Sequence, residues 1–93
     1  MKTVVVQIGN SDDKLTQKEW SNYWHEIDGF LREEASEIHF CGTSAGAAPW
    51  QNACWVFSTS GDKVGWLLAA IAIIRENYDQ DSAAALVGDV EFV

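Results

Sequence analysis

Four strand-like runs and two runs with helical periodicity alternate in the order βαββαβ, and that order restricts the chain to very few folds. Thr3-Val4-Val5-Val6-Gln7-Ile8 is a β-branched run ended by Gly9-Asn10, and it reads as the first strand. Thr16 with Glu19 three residues on forms a capping box, which predicts a helix start. Trp20, Tyr23, Trp24, Ile27, Phe30 and Leu31 then recur at spacings of three and four, giving one apolar stripe. Asn22, Glu26, Arg32 and Glu33 take the opposite face, so this helix is expected to lie on a sheet with one side in water. Gly29 weakens the helix locally without ending it.

Ile38 to Gly42 and Ala53 to Ser58 are short strands joined by a ten-residue loop. Alternation predicts Cys41 opposite Cys54, with Phe40 meeting Trp55 and Ile38 meeting Phe57 on one face. His39, Cys41, Cys54 and Val56 would then share the other face, with Thr3, Val5 and Gln7. Ser60-Gly61-Asp62 signals a turn and helix cap before Val64–Tyr78. Val64, Leu67, Leu68, Ile71 and Ile74 lie on one face of that helix, but Trp66 and Ile73 lie elsewhere. A helix apolar beyond one face is usually covered on more than one side. Leu86-Val87 and Val90–Val93 can supply a last strand. The order predicts a single domain, residues 1–93: a ferredoxin-like α+β sandwich, with two helices on one face of a four-stranded antiparallel sheet. The handedness rule makes the first two strands parallel with the third between them.

In that topology three polar loops share one end of the sheet: residues 8–13, 43–52 and 77–82. They carry the candidate binding residues Asn10, Asp12, Asp13, Trp50, Gln51, Asn52, Asp79 and Asp81. Pro49-Trp50-Gln51-Asn52 is the sharpest signal: a stiff turn, a large aromatic and two amides have the makings of an interface hot spot. Equally, Trp50 can fold back and plug the sandwich while Asn52 caps the hairpin. Asn10, Gln51 and Asn52 together can orient a small polar ligand, because amides donate and accept at once.

Fourteen acidic against six basic residues give a net charge of −8, spread along the chain with no acidic tail. That field disfavours nucleic acid and anionic lipid and suits a cation or a protein partner that is basic or itself binds nucleic acid. It also simply keeps a small protein in solution. Five Trp exceed the usual need of a core this size, so at least one is expected at an interface. The apolar run from Val64 to Ile74 falls well short of the roughly 20 residues of a membrane helix. The N-terminal run is too short for a signal peptide, and Cys41 and Cys54 read as reduced thiols, so a cytoplasmic setting is expected.

No catalytic residue, metal site or cofactor is predicted. Asp12-Asp13 with Asp79 and Asp81 offer oxygen ligands, but their spacing matches no calcium loop, and acids before a helix also suit its dipole. Gly42-Thr43-Ser44-Ala45-Gly46 lacks the lysine of a phosphate loop and precedes a strand. Ser44 sits in no nucleophile elbow, and neither His25 nor His39 is placed to serve it. His39, Cys41 and Cys54 are one ligand short of a zinc site.

The segments Gln7–Gln17 and Pro49–Trp55 resemble a family of small uncharacterised bacterial proteins of about this length. The resemblance implies a bacterial or phage origin and a cytoplasmic setting, and nothing about mechanism. The expected function is a non-enzymatic, protein-binding domain docking through the Trp50 loop end, of the kind used by immunity, anti-restriction or anti-CRISPR inhibitors. The rival expectation is a small dimeric α+β-barrel enzyme or ligand-binding protein, with the Trp20–Phe30 stripe and Trp55 around a cavity between sheet and helices. A homodimer is expected under either, because the second helix and the outer sheet face leave apolar surface uncovered.

Overall fold

The computed structural model describes residues 1–44 and 50–93. The elements are β1 (Lys2–Gly9), α1 (Gln17–Glu34), β2 (Glu37–Thr43), β3 (Asn52–Thr59), α2 (Val64–Asn77) and β4 (Ala84–Gly88). The strands stand in the order β2-β3-β1-β4, every neighbouring pair antiparallel. This is the ferredoxin-like sandwich that the element order predicts.

Period-two alternation builds the sheet side of the core. Val4 pairs with Phe57, Val6 with Trp55 and Ile8 with Ala53, all buried and facing the helices. α1 covers them with Trp20, Tyr23, Ile27 and Leu31, and α2 with Leu67 and Ile71. The capping box forms: the Thr16 hydroxyl accepts from the Glu19 amide at 3.2 Å, and the Glu19 carboxylate accepts from the Thr16 amide at 2.9 Å. The second helix starts differently from expectation. No side chain of Ser60–Lys63 caps it; a 3-10 turn, Gly61–Lys63, leads straight into Val64. The Lys63 ammonium instead binds the last turn of α1, at 2.8 Å from the Glu34 carbonyl and 3.1 Å from its carboxylate.

The hairpin register departs from strict alternation. A β-bulge between Ile38 and Phe40 keeps Ile38 opposite Phe57 but sets Phe40 opposite Val56, Cys41 opposite Trp55 and Gly42 opposite Cys54. Phe40 therefore turns to the outer face, and Cys41 turns to the core. The physical reason lies around Trp55. Trp24 packs against its ring at 5.6 Å, and Asp28 accepts its indole N–H, so the position opposite suits a thiol better than a phenyl ring. Outside, the Phe40 ring lies over Gly42, where a Cβ would stand 2.7 Å from it; the backbone hydrogen is what lets the ring lie flat.

β4 ends at Gly88, so Val90–Val93 lie beyond the last strand rather than in it. α2 closes with paired turns: the Asp79 amide donates to the Glu76 carbonyl and the Gln80 amide to the Arg75 carbonyl. That is a Schellman closure, and it puts Asp79 at φ 54°, where glycine is usual. Asp79→Gly is expected to stabilise the fold by about 0.5–1 kcal/mol, read by urea unfolding.

Candidate functional site

The three polar loops meet at one end of the sheet, and hydrogen bonds tie them to each other. Asn10 is the hub and is fully buried. Its side-chain oxygen accepts from the Leu15 amide at 2.8 Å, its amide nitrogen donates to the Leu15 carbonyl at 3.1 Å, and its backbone N–H donates to the Gln51 carbonyl at 2.8 Å. Asn10 thus shapes this end of the molecule from within and shows no face to a ligand. Gln51 pairs with Gln17 through two amide hydrogen bonds of 2.8 and 3.2 Å. Buried Gln80 accepts from the Ser11 amide at 3.3 Å, joining the third loop to the first.

Asp12 and Asp13 both adopt the left-handed conformation, which closes a tight turn with the Lys14 amide donating to Ser11. Asp81 stands 3.7 Å from the Lys14 ammonium in solvent, a contact of little energy. Among the described residues no group of three or more His, Cys, Asp or Glu comes together as a metal site would need. Asn52 lies over Gly9, where a Cβ would meet its side-chain oxygen at 2.8 Å, and it donates to the Trp50 carbonyl. Trp50 itself is 40% exposed, leaving one large aromatic at the rim of a tied polar surface. Residues 45–49 of the longest loop, including Pro49, lie outside the described residues.

Sequence reasoning missed Gln17 and Gln80, the two side chains that lock the loops. Gln80 lay inside a segment already singled out, but nothing local marks an amide that will be buried. Gln17 was hidden in the capping box, whose logic concerns only its neighbours.

Two further surfaces stand out among the described residues. A half-open groove of about 340 Å³ separates α2 from β4, lined by Leu68, Ile71 and Ala72 on one side and by Ala83–Ala85 on the other. It exists because alanines stand where a filled core would carry larger side chains. Arg75 lines its end, with its guanidinium on the Gln80 and Asp81 carbonyls at 3.0 and 2.8 Å. The aromatic stripe of α1 does not line this groove: Trp20, Tyr23, Ile27 and Leu31 are core.

The second surface is the outer face of the sheet. Strand pairing aligns Phe40, Val56, Val5 and Leu86 in one row across all four strands. Phe40 is 57% and Leu86 70% exposed. β4 carries no charge and is exposed along its length, on both faces. The bulge gives this row its phenyl ring and turns Cys41 from the outer face to the core, so the outer face is more apolar than alternation predicts. Cys41 and Cys54 end up on opposite sides of the sheet. Burial, then the Asp28 charge, pushes the Cys41 thiol above its ordinary range, so it stays protonated.

No family model matches this chain, and no curated protein matches it. Solved structures do. A dimeric ferredoxin-like protein of unknown function from Thermobifida fusca superposes with a TM-score of 0.63 at 12% identity, over 97% of this chain and 92% of that one. A DUF3240 family protein from Shewanella baltica gives 0.59 at 13%, over 99% and 92%. A hydroxynitrile lyase from Passiflora edulis gives 0.60 at 10%, over 99% and 95%. At such identities the likeness is one of fold. Of the three only the lyase has a described activity, and a shared fold by itself carries no function from one protein to another.

Proposed function

We propose that this chain is a small acidic protein-binding domain that works as a homodimer, paired through the outer face of its sheet and offering its loop ends to a protein partner. The observation that carries the pairing is the row Phe40–Val56–Val5–Leu86 on an uncovered sheet face. Burying such a row is favourable by about 25 cal/mol per Å² of apolar surface, and two-fold pairing is the simplest way to bury it. The dimeric Thermobifida fusca protein of the same fold supports the reading. The partner surface is the loop end, where Trp50 stands out from a fixed polar floor. With a net charge of −8 on each copy, a basic or nucleic-acid-binding protein suits it, and an inhibitor of such a protein is the role we favour. The resemblance of Gln7–Gln17 and Pro49–Trp55 to small bacterial proteins supports a bacterial or phage cytoplasm as its setting.

Sedimentation at micromolar concentration decides the pairing. The wild type is expected at twice the 10.3 kDa chain mass, and association should tighten as salt rises, because like charges repel less when screened. Phe40→Glu with Leu86→Glu should give a folded monomer. A wild-type monomer across that range overturns the reading. Against a captured partner, Trp50→Ala should weaken binding by about 2 kcal/mol or more.

A second reading, a small-molecule-binding protein, is favoured by the groove between α2 and β4. Its 340 Å³ lies at the small end of the range for ligand sites, with Arg75 as the polar group at its end.

A further inference from the structure

The segment Asp89–Val93 follows β4 with a strand-like alternation: Val90 and Phe92 are apolar, and Asp89 and Glu91 are acidic. Such alternation suits a strand with one side buried, yet Phe92 is 97% exposed and Val90 also faces solvent. The segment starts at the outer face. Asp89 is held by the Lys2 ammonium at 2.9 Å, and Val90 shares a shallow cleft with Thr3, Val5 and Leu86. That is the corner of the sheet farthest from the loop end, on the β4 side, since β4 finishes with Gly88 beside Thr3.

At the diagonally opposite corner of the same face is a depression of about 290 Å³. Phe40, Gly42, Cys54 and Gln7 form it, with Thr43, Ser44 and Asn52 toward the loop end. A cavity of about 150 Å³ accepts a benzene ring, so this one has room for a phenyl group. The chain's own Phe92 does not reach it. From Val90 to Phe92 is about 7 Å of extended chain, whereas the depression lies about two strands across, or ~10 Å, and further along the sheet. A Phe92 seated there must come from another molecule.

We infer that Asp89–Val93 is an exchanged arm, which in the homodimer proposed above lies on the second copy's sheet and seats Phe92 in the depression formed there by Phe40, Gly42 and Cys54. The geometry that does this is specific. Arm and depression occupy opposite corners of the face, ~10 Å apart across the strands and ~13 Å apart along them. A two-fold axis in the face, perpendicular to the line joining them, places each copy's arm over the other's depression and crosses the strands steeply, close to the orthogonal way in which sheets stack. Both arms are then seated by one operation, and the row Phe40–Val56–Val5–Leu86 is covered by the same contact. The alternation of the arm turns Val90 and Phe92 to the partner and leaves Asp89 and Glu91 at the rim.

A cysteine at position 92 tests this, because the depression already contains a thiol. In the Cys41→Ser background, F92C under mild oxidation should give a covalent dimer on a non-reducing gel, and adding Cys54→Ser should abolish it. Phe92→Asp should raise the dimer Kd about tenfold or more with unchanged circular dichroism. Four outcomes overturn the arm: a crosslink that survives Cys54→Ser, meaning that the arms meet each other; a monomer in which both thiols are lost, meaning that the arm folds onto its own sheet; a dimer by sedimentation that does not crosslink; or a dimer whose Kd Phe92→Asp leaves unchanged. The last two leave the homodimer standing. A wild type that sediments as a monomer overturns both.

Discussion

Asp28→Ala is expected to destabilise the fold by about 2–3 kcal/mol, the scale for leaving a buried donor unpaired and losing a charged hydrogen bond. Asp28 is the polar link between α1 and β3. One carboxylate oxygen accepts the indole N–H of fully buried Trp55 at 3.0 Å, and the other accepts from Arg32 at 2.9 Å, one turn along the helix. Removing the carboxylate leaves the indole with no acceptor among apolar neighbours. Asp28→Asn keeps an acceptor and loses the charge, so it should cost less, about 1 kcal/mol. Burial pulls this carboxyl upward, but the hydrogen bonds from Arg32 and Trp55 and the Arg32 charge outweigh it and hold it below the usual carboxylate range. The sign follows. A carboxyl lower in the folded state contributes stability above its unfolded value, near 3.8, and loses it as pH falls through the folded one. Urea unfolding at pH 7 and at stepwise lower pH measures both effects. Wild type should lose stability below pH 3.8 more steeply than Asp28→Asn; parallel curves would mean that the carboxylate is not held as described.

Tyr23→Phe is expected to remove an alkaline weakness. Tyr23 is fully buried and stacks on Tyr78 at 4.9 Å between ring centres. Its hydroxyl has no hydrogen-bond partner among the described residues. Burial pushes its ionisation up to about 12, against a smaller opposing pull from Arg75. A group raised in the folded state costs nothing below its unfolded value, near 10, and costs stability as pH climbs from there to 12. At about 1.4 kcal/mol per pH unit, the wild type should lose roughly 2–3 kcal/mol over that interval on account of this residue. The phenylalanine variant should lose correspondingly less. At pH 7 it should match or slightly exceed the wild type, since an unpartnered buried hydroxyl is a cost and not a support. Unfolding midpoints at pH 8, 10 and 11.5 decide the matter; equal alkaline losses in both proteins would place the weakness elsewhere.

How far the amino-acid order reaches is clearest from particular residues. The stripe from Trp20 to Leu31 and the alternation of Val4, Val6 and Ile8 are local periodicities, and they appear in the structure as the core face of α1 and the inner face of β1. Thr16 and Glu19 meet because a capping box involves only residues three apart. The gathering of the three polar loops at one end follows from element order, because strand direction alternates once the topology is set. Sequence thus determined the βαββαβ sandwich, the helix faces and the end at which the loops collect.

What it left open depends on pairs distant along the chain. The bulge at His39 shifts Phe40 and Cys41 by one residue and exchanges their faces, and only the space beside Trp55, filled by Trp24 and Asp28, decides that. Asn10 reads as an exposed loop amide until Leu15 and Gln51 close around it, and Gln17 and Gln80 acquire partners only across loops. The groove beside β4 is a difference between two surfaces, α2 and the run of alanines that follows it, and their separation is set by how each packs on the sheet, which periodicity within either does not fix. Local periodicity fixes which way a side chain faces within its own element. Which neighbour it meets there is settled by packing, where a single shifted residue carries a phenyl ring from the core to the outer face and leaves a thiol in its place.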